Sequence, residues 1–124
     1  MPARPIVLDV NGDLPSGTTA RQFEGAVHGG GVGVSFFLNH TPRGRVVSPH
    51  RHPYGEVFVI ADGEAEFVVD GVAATARGGQ IVVVPAGAVH GFRNIGERTL
   101  ELTSIHMRPP RCRRSGWTRA EERR

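Results

Sequence analysis

Four residues of this chain have the types and the spacing to hold a metal ion. His50, His52 and Glu56 fall within seven residues, and His90 follows in the segment GQIVVVPAGAVHGFRN. Three imidazoles and a carboxylate make a donor set for one divalent transition ion. The spacing argues that the first two act together. Successive side chains of a β-strand alternate faces, so positions 50 and 52 point one way and Arg51 the other, whereas a helix would set them about 200° apart. Val46, Val47 and the run Val57-Phe58-Val59-Ile60 are β-branched or aromatic, while Pro49, Pro53 and Gly55 oppose a helix. Two strands joined by a turn at Pro53-Tyr54-Gly55 are expected.

The elements that must position these donors also read as short strands. A chain of 124 residues supports one core, and 17 Gly and 9 Pro favour strands and tight turns over a helical bundle. Ile6-Val7-Leu8 reads as an edge strand, followed by a loop through Asn11-Gly12-Asp13 and Pro15-Ser16-Gly17. Arg21 to His28 and Val32 to His40 look extended on either side of Gly29-Gly30-Gly31. Beyond Glu56, alternation puts Phe58 and Ile60 on the carboxylate's side and Val57 and Val59 on the other. Asp62-Gly63 and Asp70-Gly71 are hairpin signals. The run Gln80 to Val84 carries apolar side chains on both faces, His90, Phe92 and Asn94 share one face, and Leu100 to His106 is the last strand. About ten short antiparallel strands at this rhythm describe a barrel or a sandwich.

The residues singled out above resemble the two motifs of the cupin family. Gly44, His50, His52, Glu56 and Gly63 fit the first (residues 44–63) without a gap, and Gly79, Pro85, Gly87, His90 and Asn94 fit the second (79–94). The fifteen residues between them match the short spacing of small microbial cupins. The resemblance implies an all-β jelly-roll barrel, the double-stranded β-helix, of antiparallel strands over residues 1–107. It also implies one divalent transition metal per chain on His50, His52, Glu56 and His90, with Fe(II) favoured and Mn, Ni, Co, Zn or Cu compatible. Without a cation these four polar groups would be buried at a cost of ~1–3 kcal/mol each. Gly44, Gly63, Gly79, Pro85, Gly87 and Asn94 are assigned to turns and backbone geometry.

Composition narrows the function classes. Residues 108–124 hold seven Arg against two Glu, while the preceding 107 residues hold eight Arg against ten acids, so the overall charge of +3 belongs to the tail and gives no general basis for nucleic-acid binding. That tail, with Pro109-Pro110 and a single aromatic, Trp117, cannot supply a core of its own. All fifteen basic residues are Arg, which excludes lysine nucleophiles and Schiff bases. Cys112 is the one cysteine, no segment reads as a signal peptide, and no apolar run approaches the roughly 18 residues of a membrane span. A cytoplasmic protein is expected.

The resulting expectation is a metal-dependent enzyme acting on a small molecule, oxygenase-like or isomerase/lyase-like. The alternative is a non-catalytic metal or small-molecule binding cupin, an accessory or sensor module. Phe58, Ile60 and Phe92 are expected to line the pocket, and Tyr54, Gln80 and His106 are the candidate catalytic neighbours. Taken singly, His28, His40 and His106 read as hydrogen-bonded core residues. The outward valines Val57 and Val59, with the Gln80–Val84 run, need cover that points to a homodimer. The ligand set makes the first testable claim: elemental analysis should find about one transition metal per wild-type chain and a clear loss from His52→Ala and His90→Ala.

Overall fold

Nine strands alternate between two facing antiparallel sheets in the computed structural model, which describes residues 4–17 and 19–107. The Arg-rich tail, with Cys112 and Trp117, lies outside the described residues. The strands are β1 (Ala20–Glu24), β2 (Ser35–Thr41), β3 (Val46–His50), β4 (Glu56–Asp62), β5 (Glu64–Val69), β6 (Val72–Arg77), β7 (Ile81–Val84), β8 (His90–Asn94) and β9 (Leu100–His106). Two single helical turns, α1 (Val10–Asp13) and α2 (Gly25–His28), sit before and after β1. One sheet runs β1-β2-β9-β4-β7 and the other β3-β8-β5-β6. Consecutive strands repeatedly change sheet, as they do in a jelly roll.

The order of the sheets corrects several local expectations. Asp62-Gly63 is a tight turn, with Gly63 at φ 96°, but β4 and β5 lie in different sheets, so it is a crossing and no hairpin. Asp70-Gly71 is the hairpin: both residues have positive φ, 47° and 81°, and β5 and β6 pair on either side. Ile6-Val7-Leu8 forms no strand, and Val7 is 86% exposed. The chain there is drawn into a local polar turn instead, in which Asp13 N–H donates to Asp9 O at 2.8 Å and Asp9 N–H to Asp13 Oδ2 at 2.7 Å. The stretch from Arg21 stops being extended at Glu24, where α2 begins. Gly25 passes so close to the backbone that a Cβ there would stand 1.9 Å from Val32 O. Likewise β3 ends at His50 after a register shift, so His52 lies beyond the strand rather than two positions along it.

The core lies between the sheets. Phe58 comes from one sheet and the cross-strand pair Phe67 and Phe92 from the other, with ring centroids 4.9–5.6 Å apart. Around them are Ile60, Ala65, Ala76, Val84, Ala88, Leu100 and Leu102. Registers across β2, β9 and β4 set up inward-facing rows: Ser35, His106 and Glu56 in one, Phe37, Ser104 and Phe58 in the next, then Asn39, Leu102 and Ile60. The lumen is therefore polar at one end and greasy at the other, and the polar end is where the motif residues gather.

Asn94 holds the far end of β8. Its side-chain amide donates to Thr41 O at 2.9 Å and Arg98 O at 2.8 Å, and its Oδ1 accepts from Gly96 N–H. Nearby, the Arg98 guanidinium hydrogen-bonded to Asp62 holds that exposed carboxyl below its ordinary pKa.

Gly91 fixes how closely β3 approaches β8. A Cβ at this position would lie 2.7 Å from Val47 O and 3.1 Å from Pro49 N, the backbone of the bulge that turns His50 inward. Gly91→Ala is therefore expected to destabilise the fold by about 1–3 kcal/mol in chemical denaturation, as overpacking does, and to displace His50.

Candidate metal centre

Donor groups from both sheets meet at the polar end of the lumen. His50 closes β3, His90 opens β8, Glu56 opens β4, and His52 sits on the link between β3 and β4. The pairing His50↔His90 is a direct cross-strand contact with ring centroids 4.5 Å apart. One ligating atom from each of the four residues can be chosen so that all lie within 4.8 Å of one another. Glu56, His90 and His52 are 0, 1 and 2% exposed, and His50, at 9%, is the member closest to solvent.

Backbone carbonyls fix the tautomers. Nδ1 of His50 lies 2.8 Å from Ser48 O, Nδ1 of His52 3.1 Å from Tyr54 O, and Nδ1 of His90 2.9 Å from Ala88 O. A carbonyl oxygen can only accept, so each Nδ1 carries the proton, and in the neutral ring each Nε2 carries the lone pair. Yet His52 Nε2 and His90 Nε2 stand 2.8 Å and 3.0 Å from the same carboxylate oxygen, Glu56 Oε1. Lone pairs facing lone pairs at that range require something positive between them. Either imidazolium protons fill the gaps or one cation serves all the donors, and an N3O set with its Nδ1 atoms already tied to carbonyls suits a divalent transition ion.

A further set of buried groups stands against the other oxygen of Glu56. Ser104 Oγ hydrogen-bonds Oε2, and His106 Nε2 lies 3.2 Å from Ser104 Oγ and 3.4 Å from Oε2. His106 Nδ1 is 3.0 Å from the Tyr54 hydroxyl, and the Tyr54 ring stacks on His52 at 4.2 Å and 9°. Phe37 meets His106 edge-on at 5.2 Å. Beside them Ser35 Oγ, in the same row as His106 and Glu56, is buried without a hydrogen-bond partner among the described residues.

Of the three neighbours expected from sequence, the fold brings Tyr54 and His106 to the cluster and leaves Gln80 away. Gln80 is exposed, and its Oε1 accepts from Arg77 N–H at 2.8 Å in the turn between β6 and β7. The reason is register: Glu56 pairs with Val84, four residues further along β7. Of the three expected lining residues, Phe58 stands edge-on to His90 with its ring 6.1 Å away, while Ile60 and Phe92 belong to the core beneath. His28 and His40 are not core residues. His28 Nδ1 accepts from Glu24 N–H at the half-buried α2 turn, and His40 pairs with Glu101 on the surface. Ser104 and Ser35 went unnoticed in the sequence. The strict alternation Leu100, Leu102, Ser104, His106 was the signal that could have found the first, since it puts the serine on the buried face with the histidine.

Comparison with known proteins agrees with this geometry. The profile of the cupin domain matches residues 37–106. The chain belongs to the cupin family. This cupin is 34% identical over 67 residues to the polyketide synthase CurC of Streptomyces cyaneus, which covers 53% of the chain and 43% of CurC. It is 37% identical over 67 residues to protein SchB of Streptomyces halstedii, covering 53% of the chain and 48% of SchB. The matches thus span less than half of either relative. Among solved structures, Bacillus subtilis oxalate decarboxylase, a protein with Mn(II) centres, superposes with a TM-score of 0.66 at 14% identity, over 79% of this chain and 27% of that one. Among the described residues, no helix is long and apolar enough to cross a membrane.

Proposed function

We propose that this cupin is a metal-dependent enzyme acting on a small, oxygen-rich, enolisable molecule of the polyketide class. The observation that carries the reading is the convergence of three Nε2 lone pairs and Glu56 Oε1 in a buried pocket whose tautomers are set by the backbone. Three neutral imidazoles and one carboxylate would leave a dication one formal positive charge, which favours an anionic chelating partner such as an enolised 1,3-dicarbonyl. When bound, Fe(II) or Mn(II) would supply Lewis acidity and a centre for oxygenase-like, isomerase-like or lyase-like chemistry. His50, His52, Glu56 and His90 would hold the ion. Phe37 and Phe58 would exclude water, and the Ser35 hydroxyl, free of protein partners among the described residues, would donate a hydrogen bond to a substrate oxygen. The polyketide synthase name of one relative supports the substrate class, and the Mn(II) centres of the decarboxylase make Mn(II) a metal to load beside Fe(II).

The test is to load metal-stripped protein with Fe(II) or Mn(II), add acetylacetone or a polyhydroxylated aromatic ketone, and follow O2 uptake and products by mass spectrometry. Metal-dependent turnover that disappears in Glu56→Gln is the expected result, and O2 consumption separates the oxygenase from the non-redox arms. If neither probe is turned over nor perturbs the absorption of the Fe(II)-loaded protein, the enolisable-substrate reading fails.

A second copy of the chain is the proposed partner. On the outer face of the five-stranded sheet, Val57 pairs with Val83 and Val59 with Ile81, next to Ile105 and Thr103 of β9. Val59, Ile81 and Val83 are 38, 61 and 67% exposed, and among the described residues β7 is an edge strand. Among the described residues, Ile6 and Leu8 do not supply this cover, because they line a cavity of about 380 Å³ with Phe23, at the opposite edge of the sheet. Light scattering at low micromolar concentration should give twice the 13.4 kDa chain mass. Val83→Arg should bring it down, and a wild-type mass of one chain would exclude the dimer.

A further inference from the structure

The available protons give directions to the hydrogen bonds that link Glu56 Oε2, Ser104, His106 and Tyr54. The carboxylate only accepts, so Ser104 O–H donates to Oε2. That hydroxyl has a single proton. The contact of 3.2 Å between Ser104 Oγ and His106 Nε2 must therefore be made by the N–H of His106, which also leans toward Oε2 at 3.4 Å. In the neutral ring this leaves the lone pair on His106 Nδ1, and the Tyr54 hydroxyl donates to it across 3.0 Å. His106 is thus the opposite tautomer of His50, His52 and His90, whose Nδ1 atoms carry the proton. Though it is a fourth imidazole in the same pocket, it is built to give a proton to a hydrogen bond rather than an electron pair to a metal.

From this geometry we infer that Ser104, backed by His106 and Tyr54, is a positioning residue that holds Glu56 as a one-oxygen ligand. Oε2 is held by Ser104 and His106 while Oε1 stands against His52 and His90, so a bound ion would meet one oxygen of Glu56 beside the three imidazole donors. All members are buried, at 0% for Ser104 and Glu56, 3% for His106 and 7% for Tyr54, so no solvent competes for Oε2. Tyr54 also stacks on His52, which ties the orientation of the carboxylate to that of an imidazole donor. Ser104 stands on β9 beside Phe58 of β4 and Phe37 of β2, in the row next to Glu56, where its hydroxyl reaches this carboxylate and His106.

The inference rests on the metal reading above, and its test uses binding and spectroscopy rather than turnover. Metal-stripped full-length protein is titrated calorimetrically with Co(II), and the visible spectrum of the Co(II) protein and the EPR spectrum of the Mn(II) protein are recorded. Ser104→Ala is expected to weaken Co(II) binding by about 10–100-fold, the usual range for residues that orient a ligand, and to change both spectra as Glu56 turns. Ser104→Thr, which keeps the hydroxyl, should restore the wild-type spectra. Tyr54→Phe removes one oxygen from the end of the chain, should shift both in the same direction by less, and carries the test if Ser104→Ala does not fold. Wild-type spectra and affinities within about twofold for both Ser104→Ala and Tyr54→Phe would overturn the positioning role. Failure of the wild-type protein itself to bind Co(II) or Mn(II) would overturn the metal reading and this inference with it, and the two failures are told apart by that one control.

Discussion

A carboxylate taken wholly out of water sets the terms for the rest of this molecule. Glu56 is fully buried at the polar end of a lumen whose remainder is packed with apolar side chains, and an ion in such surroundings loses several kcal/mol of hydration that only close, well-aimed donors offset. The fold answers from two directions. Imidazoles of His52 and His90 stand over one oxygen, and Ser104 with His106 stands over the other. The imidazoles of His50, His52 and His90 are each held by a main-chain carbonyl two residues away in sequence, so the orientation of the pocket is written into the backbone of β3, the link between β3 and β4, and the turn before β8.

That arrangement explains features of the fold that look unrelated to it. The bulge in β3 and the missing side chain of Gly91 let two strands approach closely enough for His50 and His90 to become neighbours. The aromatic layer of Phe58, Phe67 and Phe92 forms a floor that separates the polar end from the aliphatic end. Asn94, at the far end of the same strand as His90, spends its hydrogen bonds on backbone, anchoring β8 without reaching the cluster.

Much of this was legible before any coordinates, and the failures have physical causes. The donors were readable because their residue types are costly to bury idly and their spacing matched both strand geometry and two known motifs. The apolar alternation from Glu56 to Ile60 identified the inward face correctly, with Phe58 and Ile60 buried and Val59 exposed. Partner choice was not readable: Asp62-Gly63 has the chemistry of a hairpin, yet the turn only fixes φ, and which sheet the next strand joins is decided by its pairing with β6 and with the more distant β8. Gln80 was misplaced because face parity says nothing of how far along a strand a residue lies. Ile6-Val7-Leu8 has strand propensity without a strand neighbour to satisfy it, and the Asp9–Asp13 turn won. Ser104 was overlooked because a serine in a strand carries no signal until the buried glutamate opposite it is known.

The division of the donors between the sheets has a mechanical meaning. His50 and His90 belong to the four-stranded sheet and Glu56 to the five-stranded one, with His52 on the strap that passes between them. A cation held by these groups would be a rivet through the barrel wall, joining the two layers. Occupancy of the pocket and cohesion of the two layers are then one equilibrium viewed from two sides, since any species that binds only the closed form draws the population toward it in proportion to its own concentration and affinity. Any motion that parted the two layers at this end would draw the donors of one sheet away from those of the other.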